Sequence, residues 1–281
     1  MDTSPIRLIA VDLDGTVLDD RKQLTPRTLE ALRAAGRQGV LIVPATGRTH
    51  AGLPPELLAL PGVRYAITSN GACVMDLAAG KALRELYIPR GTALAAYDAL
   101  SAFDCMTDLF QDGQGYTTPA NRAASYRFVP DNLRDYVLNT RIALPGLRSF
   151  IAGQKRGIEK LTLFFLEEAE RRRAWTAMED LGLEVVSSLP LNMELNARGV
   201  NKGAGLLALA DGLGLPVSSL MACGDGGNDT AMVRAAGLGV AMANAFPEVK
   251  EAADYITASN NQDGVGRAVE KFVLGMEEET L

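Results

Sequence analysis

The sequence is poor in histidine and cysteine, and this shortage limits the chemistry that it can carry. Its 281 residues include one histidine, His50. Because histidine is the commonest metal ligand and the usual general base near neutral pH, zinc sites built from several histidines are excluded. The three cysteines, Cys73, Cys105 and Cys223, have no CxxC spacing. They predict neither a disulfide framework nor a cysteine zinc site, and they are typical of a reducing cytosol.

The sequence also lacks an excess of positive charge and long apolar runs. It has 28 Lys and Arg against 34 Asp and Glu, a net charge of −6, which gives no electrostatic footprint for nucleic acid or for a membrane surface. Apolar runs such as LTLFFL at 161–166 are far shorter than the ~20 residues of a membrane span. The N-terminal segment reaches Asp12 before the apolar region of a signal peptide could form. We therefore expect a cytoplasmic protein without nucleic-acid or membrane partners.

What the sequence does contain is a hydrophobic fraction typical of folded proteins and many carboxylates. With 47% hydrophobic and 22% charged residues, disorder is excluded as the main state. The length allows one large domain or two of unequal size. Since acidic residues are abundant and histidine is scarce, carboxylate chemistry is the first kind of site to look for.

The two ends of the chain share a pattern of buried strands that end in polar residues. The strands are expected at 6–11, 40–45, 219–223 and 238–242, with helices at 27–38, 230–236 and 247–253. Strand, helix and strand in this order predict a parallel α/β sheet. We therefore predict an α/β fold in which residues 1–82 and 190–281 form one doubly wound parallel sheet.

The middle of the chain, residues 83–189, has a different pattern. Helices are expected at 92–102 and 167–181, and strands at 106–110, 160–166 and 184–187. The turn QDGQG at 111–115 is typical of a hairpin. This segment is therefore predicted to be an α+β domain inserted into the sheet domain.

Three of the predicted strands end in clusters of reactive polar residues. These are DLDGT at 12–16, TGR at 46–48 and GDGGND at 224–229. Ligands of open α/β sheets bind beyond the carboxyl ends of the strands. Asp12, Asp14, Asp225 and Asp229 would bring up to four negative charges there, and Lys202 one positive charge. Such carboxylates would repel one another, and a site of oxygens without histidine favours Mg²⁺ as the cation that relieves the repulsion.

Each of these features alone has an ordinary structural interpretation. A Gly and Asp cluster after a strand is usually a turn, and Asn70-Gly71 is a standard hairpin signal. Lys202 alone is typical of a solvated lysine at the start of a helix. The cluster at 224–229 is not a dinucleotide fingerprint, and the sequence has no GxxxxGK[ST] motif for a P-loop. Only the occurrence of all the clusters together favours a functional site.

The four motifs DLDGT, TGR, Lys202 and GDGGND occur in the order and spacing of the haloacid dehalogenase (HAD) superfamily of phosphatases. The chain also resembles the Cof-type branch of that superfamily, in the segments SNGA at 69–72, NKG at 201–203, GVAMANA at 239–245 and DGVG at 263–266. The position of residues 83–189 between the motifs makes them resemble a class IIB cap domain.

The resemblance implies a role for each matching residue. Asp12 would be the nucleophile that accepts the phosphoryl group, and Asp14 would be the general acid and base. Mg²⁺ would be held by Asp12, Asp225 and the backbone carbonyl of Asp14, with Asp229 close by. The residues expected to bind phosphate or substrate are Thr46, Gly47, Arg48, Asn70, Lys202 and Asn228.

The predicted function is therefore Mg²⁺-dependent hydrolysis of small phosphorylated metabolites through an aspartyl phosphate. Two alternatives stay open: a phosphomutase-like transferase, and a non-catalytic sensor of a phosphate ligand. Candidate substrate contacts in the inserted domain are Arg122, Arg127 and Asn192, whereas His50 is expected on a surface loop. We expect a small phosphate ester as the partner, and a monomer or small homo-oligomer.

Overall fold

A computed structural model of the chain describes residues 5–276. The strands in this range are β1 (Leu8–Val11), β2 (Leu41–Pro44), β3 (Tyr65–Thr68), β4 (Cys73–Asp76), β5 (Lys81–Glu85), β6 (Cys105–Gln111), β7 (Gln114–Thr117), β8 (Arg141–Ala143), β9 (Lys160–Phe165), β10 (Glu184–Val186), β11 (Asn192–Asn196), β12 (Leu220–Gly224), β13 (Leu238–Ala241) and β14 (Tyr255–Ile256). The α-helices are α1 (Pro26–Arg37), α2 (Pro55–Leu58), α3 (Arg90–Leu100), α4 (Pro119–Phe128), α5 (Asp131–Thr140), α6 (Leu147–Gly153), α7 (Glu168–Asp180), α8 (Lys202–Gly212), α9 (Thr230–Ala235), α10 (Pro247–Ala252) and α11 (Gly264–Phe272).

The chain divides into two compact units. The core unit contains Leu53–Arg84 and the described parts of Met1–Gly47 and Asn201–Leu281. The inserted unit contains Arg48–Gly52 and Glu85–Val200. It continues beyond residue 189, where the sequence placed the boundary, because β11 pairs with both β9 and β10.

The core unit is built on a parallel sheet with the strand order β14-β13-β12-β1-β2. In β1, Ile9 and Val11 belong to a cluster with α1 and α11, whereas Leu8 and Ala10 belong to a cluster with α8. Residues of one strand alternate between the two faces of a sheet, so helices cover both faces of this one. The prediction of a doubly wound parallel sheet is confirmed.

The carboxyl ends of β1, β2 and β12 lie along one edge of the core sheet. β1 pairs in parallel with β12 on one side and with β2 on the other, and Leu8 aligns with both Leu220 and Leu41. The chain continues from β1 to β2 on one side and from β12 to β13 on the other, so the topological switch point of the sheet lies between β1 and β12. Asp12 is the residue that follows β1.

The inserted unit contains a six-stranded sheet with the order β10-β11-β9-β6-β7-β8. Its ladders are antiparallel except for β7 with β8. The hairpin between β6 and β7 turns at Asp112 and Gly113, which have φ angles of 51° and 71°. Positive φ at both central residues is what a type I′ two-residue hairpin turn requires, so the expected hairpin and the α+β character of this segment are confirmed. None of the helices between residues 5 and 276 is long and apolar enough to cross a membrane.

Candidate active site

The centre of the site is a buried lysine between two carboxylates. Lys202 Nζ donates hydrogen bonds to Asp12 Oδ1 and Asp229 Oδ1, each 2.6 Å away. The side chains of Lys202 and Asp229 are 0% exposed and that of Asp12 is 9% exposed. Burial opposes the charged form of Lys202, but the two carboxylates outweigh it and raise the lysine pKa. A charged lysine therefore holds the residue after β1 beside the loop after β12.

The start of α8 places this lysine. Asn201 caps the helix, since its side-chain oxygen accepts the N–H of Ala204 at 2.8 Å. The turn after β3 packs against the same point: Gly71 has a φ of 95°, and a Cβ on it would lie 2.3 Å from the Asn201 carbonyl oxygen. Only glycine fits there without displacing the backbone that carries Lys202.

The loop after β12 is folded around Asp229. Its Oδ2 accepts the backbone N–H groups of Asp225 and Gly226, both at 3.0 Å, while Oδ1 faces Lys202. The loop begins at Gly224, where a Cβ would lie 2.4 Å from the Asp229 Cβ. One carboxylate thus fixes both the loop and the lysine.

Asp225 is held from the other side by the DLDGT motif. Thr16 Oγ1 donates a hydrogen bond to Asp225 Oδ1 at 2.6 Å. Gly15 has a φ of 86°, and a Cβ on it would lie 2.3 Å from Asp225 Oδ2, so the motif needs glycine here to let the carboxylate approach. Burial first, and the charge of Asp229 second, raise the pKa of Asp225 to about 7. Asp225 is therefore poised between its neutral and charged forms near neutral pH.

Three carboxylates of this site are close enough to share a metal ion. Asp12, Asp225 and Asp229 each offer an oxygen, and these oxygens lie within 4.8 Å of one another. The pKa of Asp12 is raised well above its ordinary value by burial and by the charges of Asp229 and Asp225, although Lys202 opposes this. A divalent cation would favour the ionised forms, and an all-oxygen donor set suits Mg²⁺. The residues present therefore fit the predicted ion.

The Asp14 side chain lies outside this group of three oxygens. It is 34% exposed, and Asp14 Oδ1 lies 2.8 Å from Lys22 Nζ. Isolated β-bridges pair Asp14 with Leu18 and Leu18 with Leu24, so residues 14–24 fold back on themselves. The part of Asp14 predicted to meet the metal is its backbone carbonyl, and that assignment stays a prediction.

Three of the predicted phosphate-binding residues lie together in the core unit. Asn70 donates its N–H to the Thr46 carbonyl at 3.0 Å, and Asn228 Nδ2 donates to Asn70 Oδ1 at 3.2 Å. Thr46, Asn70 and Asn228 are all buried. Ser69 and Asn70 have φ angles of 50° and 60°, a conformation that asparagine tolerates better than most residues. Strained backbone of this kind is concentrated at functional sites.

Arg48 and His50 belong to the inserted unit, in the segment Arg48–Gly52. The predicted residue Gly47 is the last core residue before this segment. The Arg48 guanidinium lies 4.5 Å from the centre of the Tyr136 ring, and Arg48 Nη1 donates to the Gly52 carbonyl at 3.0 Å. His50 is exposed in the same segment. Arg48 thus contacts an aromatic ring of the inserted unit, and its role with substrate stays a prediction.

The three candidate contacts of the inserted domain differ in their surroundings. Asn192 is buried, and its Oδ1 accepts the N–H groups of Ser188 and Leu189 at 3.0 and 2.9 Å, so it builds the loop before β11. Arg127 lies 3.8 Å from Asp104 on the exposed surface, and Arg122 is 3.5 Å from the Arg141 carbonyl. Two buried ion pairs of the inserted sheet were not predicted from the sequence. These are Lys160–Glu194 at 2.7 Å and Arg141–Asp108 at 3.3 Å.

Sequence reasoning also missed residues of the core site. Thr16 lies within DLDGT, but the resemblance assigned it no role. Asn244, within the segment GVAMANA, donates from Nδ2 to the Gly15 carbonyl at 2.8 Å. Asn244 could have been singled out, because GVAMANA is one of the segments that carry the family resemblance. Lys22 had no signal, because its contact with Asp14 depends on how the loop folds.

Comparison with known proteins gives consistent similarities over almost the whole chain. A family described as haloacid dehalogenase-like hydrolase matches residues 9–269. The 5-amino-6-(5-phospho-D-ribitylamino)uracil phosphatase YcsE of Bacillus subtilis is 32% identical over 274 residues, which cover 96% of each chain. The structure of a haloacid dehalogenase-like hydrolase from Bacteroides thetaiotaomicron is 25% identical, with a TM-score of 0.78 over 95% of this chain and 99% of that one. The HAD subclass IIB sugar phosphatase BT4131 has the same fold, with 24% identity and a TM-score of 0.78 over 95% and 98% of the two chains.

Proposed function

Because the chain belongs to the haloacid dehalogenase-like hydrolase family and is a phosphatase of its Cof-type branch, we propose that it is Mg²⁺-dependent and transfers the phosphoryl group of its substrate to Asp12. Small phosphorylated metabolites are its general substrate class, as the sequence predicted. The observation that carries the proposal is the position of Lys202, 2.6 Å from the oxygens of both Asp12 and Asp229. A buried positive charge beside the Asp12 carboxylate supports the proposal that an anionic phosphoryl group binds next to this residue.

In the first step an oxygen of Asp12 attacks the phosphorus atom, and the bond from phosphorus to the ester oxygen breaks. Asp14 donates its proton to that departing oxygen, which leaves as an alcohol. Lys202 and the Thr46 hydroxyl stabilise the negative charge of the transferring phosphoryl oxygens. The positive charge on Lys202 also reduces the repulsion between the anionic nucleophile and the anionic substrate.

In the second step water attacks the phosphorus atom of the aspartyl phosphate. Asp14, now ionised, takes a proton from the water, and the bond from phosphorus to the Asp12 oxygen breaks. Inorganic phosphate leaves, and both aspartates return to their starting states. Mg²⁺ bound by Asp12 and Asp225, with Asp229 beside it, would neutralise phosphoryl charge throughout.

The experiment that tests this proposal measures phosphate release from a panel of metabolites with Mg²⁺ and with a chelator. The panel contains sugar phosphates, pyridoxal phosphate, flavin mononucleotide and a ribitylaminouracil phosphate, the last because it is the compound in the name of the 32% identical relative. We expect Mg²⁺-dependent release that is lost in the variant D12N, since an amide is not a nucleophile here. Isomerised substrate without free phosphate would favour a mutase-like transferase, and turnover by clean D12N would refute the role of Asp12.

A further inference from the structure

Lys22 contacts the residue proposed to transfer protons. Lys22 Nζ lies 2.8 Å from Asp14 Oδ1, and the two side chains are 30% and 34% exposed. The pair therefore lies at the margin of the core unit's surface. Ion pairs with this exposure contribute little to stability.

The local backbone is arranged to bring Lys22 to this position. Asp19 Oδ1 accepts the N–H groups of Arg21 and Gln23 at 2.9 Å each, and the Lys22 N–H donates to the Asp19 carbonyl at 2.9 Å. The tight turn leaves Lys22 with a φ of 63°. Glycine or asparagine is the usual residue in that conformation, and lysine rarely adopts it.

The loop that carries Lys22 is also anchored to a distant part of the chain. Asn260 Nδ2 donates to the Leu18 carbonyl and to Asp20 Oδ1, both at 3.1 Å. Asn261 Nδ2 donates to Asp20 Oδ2 at 2.9 Å. These hydrogen bonds fix the backbone near Lys22, so its ammonium can hold Oδ1 of Asp14 in one orientation while the other carboxyl oxygen gives up or takes up the proton.

We propose that Lys22 is a positioning residue for Asp14, which it holds through Oδ1 in the orientation needed for proton transfer. This inference rests on the proposed function of Asp14. Proton transfer requires a carboxyl oxygen about 2.6–3.2 Å from the ester oxygen. A partly exposed aspartate can otherwise occupy several rotamers. Without Lys22, Asp14 would spend less time in the productive one.

The test compares K22M with R21M, a matched control that removes a charge from the adjacent position of the same turn. An alkyl phosphate that the wild-type enzyme hydrolyses is one substrate, and p-nitrophenyl phosphate is the other. General acid and base catalysis contributes ~10²–10⁴-fold, so partial loss of positioning should lower kcat for the alkyl phosphate about 10- to 100-fold. KM should change little, and R21M should match the wild type.

The first step with p-nitrophenyl phosphate distinguishes a loss of Asp14 positioning from a general loss of activity. Nitrophenolate leaves without a proton, so the initial burst of nitrophenolate release should keep its rate in K22M. In a D14N background, K22M should cause no further loss, because the residue through which it acts has been removed. K22R, which keeps the charge, should recover part of the lost kcat.

Three results would overturn the inference. They are an unchanged kcat in K22M, an equal loss of burst rate and alkyl phosphate turnover, and an additional loss when K22M is combined with D14N. In each of them wild-type turnover persists, so the proposed function survives. A wild-type enzyme that releases phosphate from no ester would overturn both, and that result is seen before any variant is compared.

Discussion

Replacement of Lys202 by methionine should destabilise the core unit strongly. Methionine has nearly the length of lysine but no charge, so K202M leaves Asp12 and Asp229 without the cation that lies 2.6 Å from both. Removing one partner of a buried ion pair costs about 3–5 kcal/mol of unfolding free energy. For a chain of this size that corresponds to a fall in Tm of roughly 6–20 °C.

The size of this loss should depend on pH. The pKa of Asp12 is already raised by burial and by its acidic neighbours. A carboxyl whose pKa is higher in the folded state than in the unfolded state favours folding at low pH, and this contribution is lost as pH rises through the folded pKa. K202M should therefore lose less stability at acidic pH, where the raised pKa favours protonation of Asp12, than at about pH 8.

The assay must report on the core unit by itself. The single tryptophan, Trp175, belongs to α7 of the inserted unit, so its fluorescence reports on unfolding of that unit and not of the core unit. Hydrogen exchange of peptides from β1 and α8, measured in chelator, follows the core, and Trp175 serves as an internal reference. The matched control is K81M, since Lys81 is exposed. A loss below about 1 kcal/mol at pH 8, the size of a surface pair, would refute the reasoning.

Two further predictions follow from the same site. Because the pKa of Asp225 is raised to about 7, metal-free protein should lose stability between about pH 6 and pH 8, and Mg²⁺ should raise Tm more at the higher pH; equal Mg²⁺ effects at both would contradict this. G71A should lower the free energy of unfolding, measured in urea, by about 1–3 kcal/mol more than G80A does. Both glycines have positive φ, but of the two only Gly71 faces a backbone oxygen, that of Asn201. Equal losses in the two variants would mean that this close approach has no energetic role.

The sequence was sufficient to predict the frame of the site. Buried apolar runs that stop at Asp12, Thr46 and Asp225 are local patterns, and the parallel arrangement of their strands brings their ends to one edge. Lys202 follows the helix cap Asn201, also a local signal. These features were predictable because each depends on a few neighbouring residues.

What could not be predicted depends on contacts between residues far apart in the chain. Thr16 bonds Asp225 across 209 positions, and Asn260 reaches Leu18 across 242 positions. The pairing of Lys22 with Asp14 requires the left-handed turn at Lys22, which composition does not reveal. No periodicity carries such information, so these partners emerge only when the fold is built.

The inserted unit was predicted less completely than the core. Its hairpin at Asp112-Gly113 has a strong local signal, but α4 and α5 were not predicted. The buried pair Lys160–Glu194 is also hidden in the sequence, because lysine and glutamate on a strand ordinarily indicate an exposed face. Buried charges of this kind are recognisable only when both partners are placed.

The central claim is that Asp12 carries the phosphoryl group, and intact-protein mass spectrometry tests it most directly. In the D14N variant the second step is slowed, whereas the first step with p-nitrophenyl phosphate needs no proton donor. Rapid quenching with this substrate and Mg²⁺ should therefore trap a species heavier by one phosphoryl group. Peptide mapping should place that group on Asp12, and the double variant D12N/D14N should show none. A phosphoryl group on another residue, or on D12N/D14N, would contradict the account.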